Sequence, residues 1–567
     1  MVQDPEQRVE YSILRPAAAQ RPAAASEAGE IFERHHARGV SRSPRVALIL
    51  LLVLTLVGGW LRFTATSFGL PDQFRPDEEF LVPRALNLGP DWNPHMAFYP
   101  PALMYMQSAA LRVYAAALGK GSDFRSAYAA DNGALAYLVA RRVTAALGTA
   151  TIPAIYVAAA PIYGPGAALS AAAIVAVSTI HVQDSKFAKV DVAAAFWTTM
   201  AIAMLLRIVS RGRWSDYLAA GVFAGLAIAT KYPSGAILFG IAAAHLEARH
   251  REGRAPVVGA LRDCRIYLVA AGAVVATFCA APYLVLDWRQ TVLDFKFQWA
   301  GSFIVTQLPY GWRWLIFIAM PDSFGLALLA LLIGGLLWAL ARPTRGTLSL
   351  LVFLVVEFFA IATVHRTFCR YLLLPLPAMA ILSGVLVSDL TLQASWLFSR
   401  TRAGAAAGLI LALMLMPCLI QGVELDRLLL QTDTRTLARR WLVTHVPPFR
   451  TKIAATAGSY GKPQFLSRFF SRYELVPMED LDTLRGKQVR WVLSDSLGPL
   501  QIFSPGLSPE QERELSTRAT LVFEADPMRR GATSLPIFDA GDAFYAPLRN
   551  AASMERPGPR IRIWKLE

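Results

Sequence analysis

The stretch "VALILLLVLTLVGGWL", residues 46–61, decides the class of fold. It is an unbroken apolar run of about the length a helix needs to cross the hydrocarbon core of a bilayer. The basic stretch "RHHARGVSRSPR", residues 34–45, precedes it and holds its entrance on the cytoplasmic side. The run is too long, and too far from the start, for a cleaved signal peptide, and no small-residue cleavage pattern follows it.

Working outward, the same signal recurs. About eleven apolar spans are expected, starting near positions 46, 143, 166, 192, 215, 233, 266, 321, 347, 372 and 403. Composition agrees: 54% of the 567 residues are hydrophobic and 17% are charged, where a soluble chain would carry roughly a quarter charged residues. The fold class is therefore an α-helical polytopic membrane protein. The net charge of +15 does not point to nucleic acid. The cations sit largely in short connections such as "EARHREGR", "RPTRG" and "FSRTR", a positive-inside distribution. Four scattered cysteines, Cys264, Cys279, Cys369 and Cys418, form neither a disulfide framework nor a zinc motif.

Residues 1–45, rich in Ala, Pro, Arg and Glu, read as a disordered cytoplasmic tail. With the tail inside, "PIYGPG", "RIVSRGRW", "EARHREGRAPVVGALRDCR", "ARPTRGT" and "LFSRTRA" become inside loops, all but the first of them basic. Outside lie a long first loop over 67–140, "QDSKFAKVD", "KYPS", 287 to about 318, "HRTFCRY", and everything after about 422. The membrane domain thus spans 46–422. Residues 423–567 read as a small α/β domain on the outer face. "TKIAATA", "VRWVLSDS", "ATLVFEA" and "RIRIWKLE" have strand character, and "RTLARRWLVTHV" carries Leu437, Trp441 and Leu442 on one helical face. "GVFAG" in the fifth span reads as a packing contact. Trp288, Trp299, Trp312 and Trp314 read as an outer aromatic belt.

Chemistry concentrates in the outer loops. The first holds "FRPDEEF", residues 74–80, then two amphipathic segments, "EEFLVPRALNL" and "PALMYMQSAALRVYAAAL", joined through "FYPP". Asp77 reads either as an N-cap, with Glu78 and Glu79 favoured by the helix dipole, or as a carboxylate at the mouth of a cavity; the two are compatible. Three adjacent acids repel one another, which raises their pKa values. Cations face them from other outer loops: Arg141 and Arg142 at the second span, Lys186 and Lys189 with Asp184 and Asp191 in "HVQDSKFAKVD", Lys231 in "TKYPSG", and His365, Arg366 and Arg370 in "HRTFCRYLLLPLP". Each alone is an ordinary snorkelling anchor. Together they suit a phosphate at the membrane surface, and a carboxylate beside it suits a general base.

An acidic pair after the first span, "YPP" in a long first loop, Arg at the head of span two, a charged loop ending in Asp before span four, "ATKYP" and "RTFCRYLLLPLP" occur here in one order. In this the chain resembles the GT-C fold glycosyltransferases of the protein-mannosyltransferase and aminoarabinose-transferase type, family 39-like, over roughly residues 46–400. "DTRTLARRWLVTHVPP" and "GPRIRIWKL" are similar to bacterial members. The resemblance implies inverting transfer of a sugar from a polyprenyl-phosphate donor to a lipid, glycan or protein acceptor on the periplasmic side of the inner membrane. It implies Asp77 as the catalytic carboxylate and Glu78 as the second acid. Arg142 falls near the lipid phosphate, Lys186 and Lys189 stand where relatives often have arginine, Asp191 closes the charged loop, and Arg366 and Arg370 form the late basic pair. Lys231 and His365 join them as substrate-binding positions at outer helix ends. With no compact His/Asp ligand spacing, the expectation is no cofactor and metal independence. A polytopic transporter or lipid flippase with an accessory outer domain is the alternative; its charges and broken helices would sit near the bilayer midplane in repeated halves. A receptor-like or assembly protein is a third reading. The outer domain shows no nucleophile motif, phosphate loop or metal set, and so reads as an acceptor-binding or lid element.

Overall fold

The computed structural model describes residues 44–566 except 121–124, 130–132, 253–258, 260–261, 303–310, 365–367, 456–472, 497–506 and 543–544. The tail expected over 1–45 lies almost wholly outside the described residues.

The first apolar run is the Pro44–Phe63 helix. Leu48, Ile49, Leu52, Leu56 and Trp60 are exposed along it, the residue types expected where lipid replaces protein neighbours. Six helices among the described residues are long and apolar enough to cross a membrane: Pro44–Phe63, Ala134–Val177, Val190–Ser210, Gly311–Ala341, Leu376–Leu397 and Arg400–His445. Three shorter apolar helices, Trp214–Ile228, Arg265–Ala280 and Thr347–Ala362, stand among them, with Ile237–Arg251 beside these.

The second and third spans are two helices within Ala134–Val177 that meet at a kink at Gly164, whose non-helical φ of 80° suits glycine. This is the "PIYGPG" turn, flanked by Pro161 and Pro165. The second span begins at 134, not 143, so Arg141 and Arg142 lie about two turns inside the helix rather than at its head. The Val190–Ser210 helix is the most buried of the six. Its alanines let the 134–177, 214–228 and 237–251 helices approach closely. The "GVFAG" glycines, Gly221 and Gly225, meet the backbone of Val269 and Ala273, so that motif packs inside one chain. Of the expected belt, Trp288, Trp299 and Trp312 are exposed but Trp314 is wholly buried in the core.

The segment expected as the first outer loop holds two helices, Pro76–Asn87 and Ala102–Ala117. The Arg400–His445 stretch consists of the Arg400–Leu429 helix, which continues beyond 422, and the Thr434–His445 helix after it. The C-terminal domain holds, among the described residues, a five-stranded sheet in the order β2-β1-β3-β5-β4. Its strands are β1 (Lys452–Ala455), β2 (Glu474–Pro477), β3 (Trp491–Ser496), β4 (Ala519–Ala525) and β5 (Arg560–Leu566). β1 is parallel to β2 and β3, while β5 runs antiparallel to β3 and β4. Four of these match the strand-like segments; β2 is additional.

Candidate active site

Asp77 lies in the first turn of the Pro76–Asn87 helix. Arg75 is the N-cap and Pro76 the first helical residue, so Asp77 is not the cap. Pro76 starts the helix without losing a needed N–H, and the extended Arg75 before it turns back into the protein. The Tyr99 hydroxyl of "FYPP" donates to Asp77 Oδ1 at 3.1 Å. Lys189, the extended N-cap of Val190–Ser210, places Nζ 3.6 Å from Asp77 Oδ2 and 3.0 Å from Asp184. Arg370, in the Cys369–Leu373 turn, places Nη2 3.7 Å from Asp77 Oδ2 and Nε 3.8 Å from Asp191. Lys231 pairs with Asp191 at 2.6 Å.

A residue that sequence reasoning missed sits at the centre. Asp542, in the C-terminal segment, accepts from both Nη atoms of Arg75 at 2.5 Å. It also accepts from Arg370 Nη1 at 2.9 Å and lies 3.9 Å from Lys189 Nζ. Asp539, three residues earlier, accepts from the backbone N–H of Cys369 at 2.8 Å. Nothing in "IFDAGDAFYAP" stands out by residue type; only its contacts do. Arg75 carried a signal that was passed over, a cation two residues before the acidic run.

The cations Arg75, Lys189, Arg370 and Lys231 thus face the carboxylates Asp77, Asp184, Asp191 and Asp542. Among these acids Asp77 is the most open: its side chain is 19% exposed, against 12% for Asp542, 6% for Asp184 and 4% for Asp191. Burial pushes the Asp77 carboxyl up, but Arg370, Lys189 and Arg75 outweigh it and hold the group below the ordinary carboxylate range. The expected rise in pKa therefore does not fall on Asp77. It falls on Glu79, which burial, then Glu78 and Asp77, push up to about 7. Burial and Asp542 push Asp539 up to about 7 as well.

Several expected site residues have other roles. Glu78 is wholly buried and does not face an acceptor. It takes Arg141 Nε at 2.9 Å and Nη2 at 2.6 Å, and the Ala188 N–H at 2.7 Å. Arg141 in turn donates to the carbonyls of Thr66 and Phe68. This latch fastens the first loop and the 181–191 loop to the second span. Arg142 is exposed, outside the cluster; the helix starting at 134 turns its neighbour inward instead. Lys186 is also withdrawn: buried, it pairs with Asp426 and donates to the carbonyls of Leu61 and Thr64. His365 and Arg366 lie outside the described residues.

Beside Lys231, a cleft of about 520 Å³ is lined by Tyr232, Thr291, Val292, Phe295, Lys296 and Trp299. The Tyr232 hydroxyl donates to Ala97 O at 2.8 Å. Asp294 accepts from the N–H groups of Ala97 and Phe98, so this wall is tied to the loop that carries Tyr99.

Residues 136–282, which include Lys189, Asp191 and Lys231, match the family model of dolichyl-phosphate-mannose-protein mannosyltransferases. The fold is similar to that of ArnT from Cupriavidus metallidurans bound to undecaprenyl phosphate, with a TM-score of 0.50 and 12% identity over 92% of this chain and 98% of that one. The apo oligosaccharyltransferase of Archaeoglobus fulgidus is similar at a TM-score of 0.49 and 13% identity, over 92% of this chain and 89% of that one. No curated protein matches the chain by sequence. The chain is a polytopic membrane protein with the GT-C glycosyltransferase fold.

Proposed function

We propose that the chain is an integral membrane glycosyltransferase that moves a sugar from a polyprenyl-phosphate donor to an acceptor, with inversion and with Asp77 as the base. The single observation that carries this reading is the position of Asp77: the most open carboxylate of a buried ion cluster, touched by Lys189 and Arg370 and fixed by Tyr99. The undecaprenyl phosphate bound to ArnT supports the donor class. The aromatic cleft beside Lys231 offers an apolar surface for the prenyl chain. The positive-inside pattern supports a periplasmic site, a cytoplasmic N-terminus and an outer C-terminal domain in a bacterial inner membrane.

In the proposed reaction the acceptor's X–H group donates to Asp77, and its lone pair attacks the anomeric carbon. The carbon–oxygen bond to the phosphate breaks, the electron pair leaves on the phosphate, and the proton passes to Asp77. One displacement inverts the anomeric centre. A carboxylate held ionised is a weak base towards a free hydroxyl, so its proton transfer belongs late in the reaction, when the attacking oxygen has acidified. The incoming phosphate shares Arg370 and Lys189 with Asp77. Those cations, with Arg75, neutralise the leaving group electrostatically. Charge neutralisation by side chains makes the proposed transfer independent of a metal.

The test is transfer from a purified polyprenyl-phosphate sugar by the full chain in lipid nanodiscs. Asp77→Asn is expected to lower turnover on the order of a hundredfold or more at equal abundance of folded protein. Near-normal transfer by that variant removes Asp77 from the role of base.

A further inference from the structure

Resting on the donor class proposed above, we propose that Arg75, Lys189 and Arg370 are the seat of the donor's phosphodiester. Asp542 fills that seat when no donor is bound and is displaced when one arrives.

The geometry around Asp542 is that of an anion site. Arg75 presents two parallel N–H groups at 2.5 Å each, the fork arrangement that suits carboxylate and phosphate alike. Arg370 adds a third donor at 2.9 Å, and Lys189 a point charge at 3.9 Å. A carboxylate and a phosphodiester each carry one negative charge on two terminal oxygens. One can replace the other here without changing the charge of the cluster. The desolvation of these cations has to be offset by whichever anion sits among them.

Position points the same way. Lys189 and Arg370 touch both Asp542 and Asp77. An anion in Asp542's place is therefore bridged to the base by shared cations, and a sugar carried on that anion comes to lie beside Asp77. The carboxylate that holds the place comes from a segment outside the sheet. Asp542 lies between a one-pair contact of Ile537 with Arg549 and a turn closed by its own N–H on Asp539 O. Asp539 anchors the turn through the Cys369 and Gly541 N–H groups. Among the described residues Asp542 belongs to no strand, so local opening is within reach of a binding event. After transfer, the returning carboxylate competes with the lipid phosphate for the same three cations and speeds its release.

The alternative role for Asp542 is a permanent clamp between the outer domain and the membrane domain. Hydrogen exchange separates the two without any mutation. The full-length protein in nanodiscs is titrated with a polyprenyl monophosphate, with binding followed by thermal stabilisation. In the bound state the amides of Gly541 and Leu548 are expected to exchange faster than in the free state. Unchanged or slower exchange at saturation overturns displacement and leaves a clamp. In parallel, Asp542→Asn removes the competitor, and its affinity for the monophosphate is expected to rise on the order of tenfold, as for a site otherwise free in about one molecule in ten. A fall in affinity overturns the proposal. If that variant does not fold, the exchange result on the unaltered chain decides alone. Failure of the unaltered chain to bind the monophosphate overturns the donor assignment itself. Loss of transfer in Asp77→Asn with monophosphate binding retained keeps the base and the seat distinguishable.

Discussion

Arg75 and Asp542 are 467 positions apart and meet through two hydrogen bonds of 2.5 Å, within reach of the cations that touch Asp77. The pair joins the start of the 67–140 segment to the C-terminal domain, whose chain between β4 and β5 supplies an acid to the candidate site.

Tyr99 fixes the orientation of Asp77, the proposed base, through its bond to Oδ1. A hydrogen bond to a charged group contributes about 1.5–3 kcal/mol, so Tyr99→Phe is expected to lower turnover on the order of tenfold or more. The change should fall on kcat rather than on donor KM, because the Tyr99 hydroxyl hydrogen-bonds Asp77. Steady-state kinetics with a saturating acceptor checks this; a change confined to donor KM contradicts it.

Glu78 and Arg141 are a structural latch. Removing one partner of a buried pair costs about 3–5 kcal/mol, because the other charge is left alone. Glu78→Ala should lower the melting temperature in detergent and the yield of folded protein. Arg142→Ala, at the next position but exposed, should stay within about 0.5 kcal/mol of the unaltered chain. Thermal unfolding of both variants side by side reads the difference. Equal effects would mean that burial does not distinguish the two arginines.

Glu79 makes stability fall as pH rises. Its pKa moves from 4.5 to about 7 on folding, so between those values the folded state binds more protons than the unfolded one. By linkage this contribution to stability is present below 4.5 and is lost as pH climbs through 7. Glu79→Gln cannot ionise and should flatten melting temperature against pH across that window. An unchanged slope would place the titration elsewhere.

Side-chain cations carry the charge neutralisation in the proposed mechanism. Exhaustive treatment with EDTA should therefore leave transfer within about twofold, whereas stripping an essential Lewis acid removes several kcal/mol of transition-state stabilisation. Loss of activity restored by one divalent ion would show that a metal shares the work of Arg75, Lys189 and Arg370.

The local sequence carries some of these facts and not others. Asp77, Lys189, Asp191, Lys231 and Arg370 were visible because each is a charge at the outer end of an apolar run, where a membrane protein has little reason to place one without a partner. Choosing between Arg141 and Arg142 was beyond that logic. Adjacent helical residues differ by about 100° in direction, and which one faces inward depends on where the helix starts and what packs against it. Lys186 and Lys189 show the same limit. Three positions apart in one loop, they turn to different acids, Asp426 and Asp184.

The sequence by itself determined the membrane class and most of the spans, through the length and apolarity of its helices. It also determined that charges lie at the ends of the spans, because hydrocarbon admits few of them. Only the tertiary structure decided which acid is open and which is latched, that Glu79 rather than Asp77 is raised, and that Asp542 joins the cluster. Those outcomes depend on burial and on distances set by the folded chain, and hydropathy along the chain contains neither.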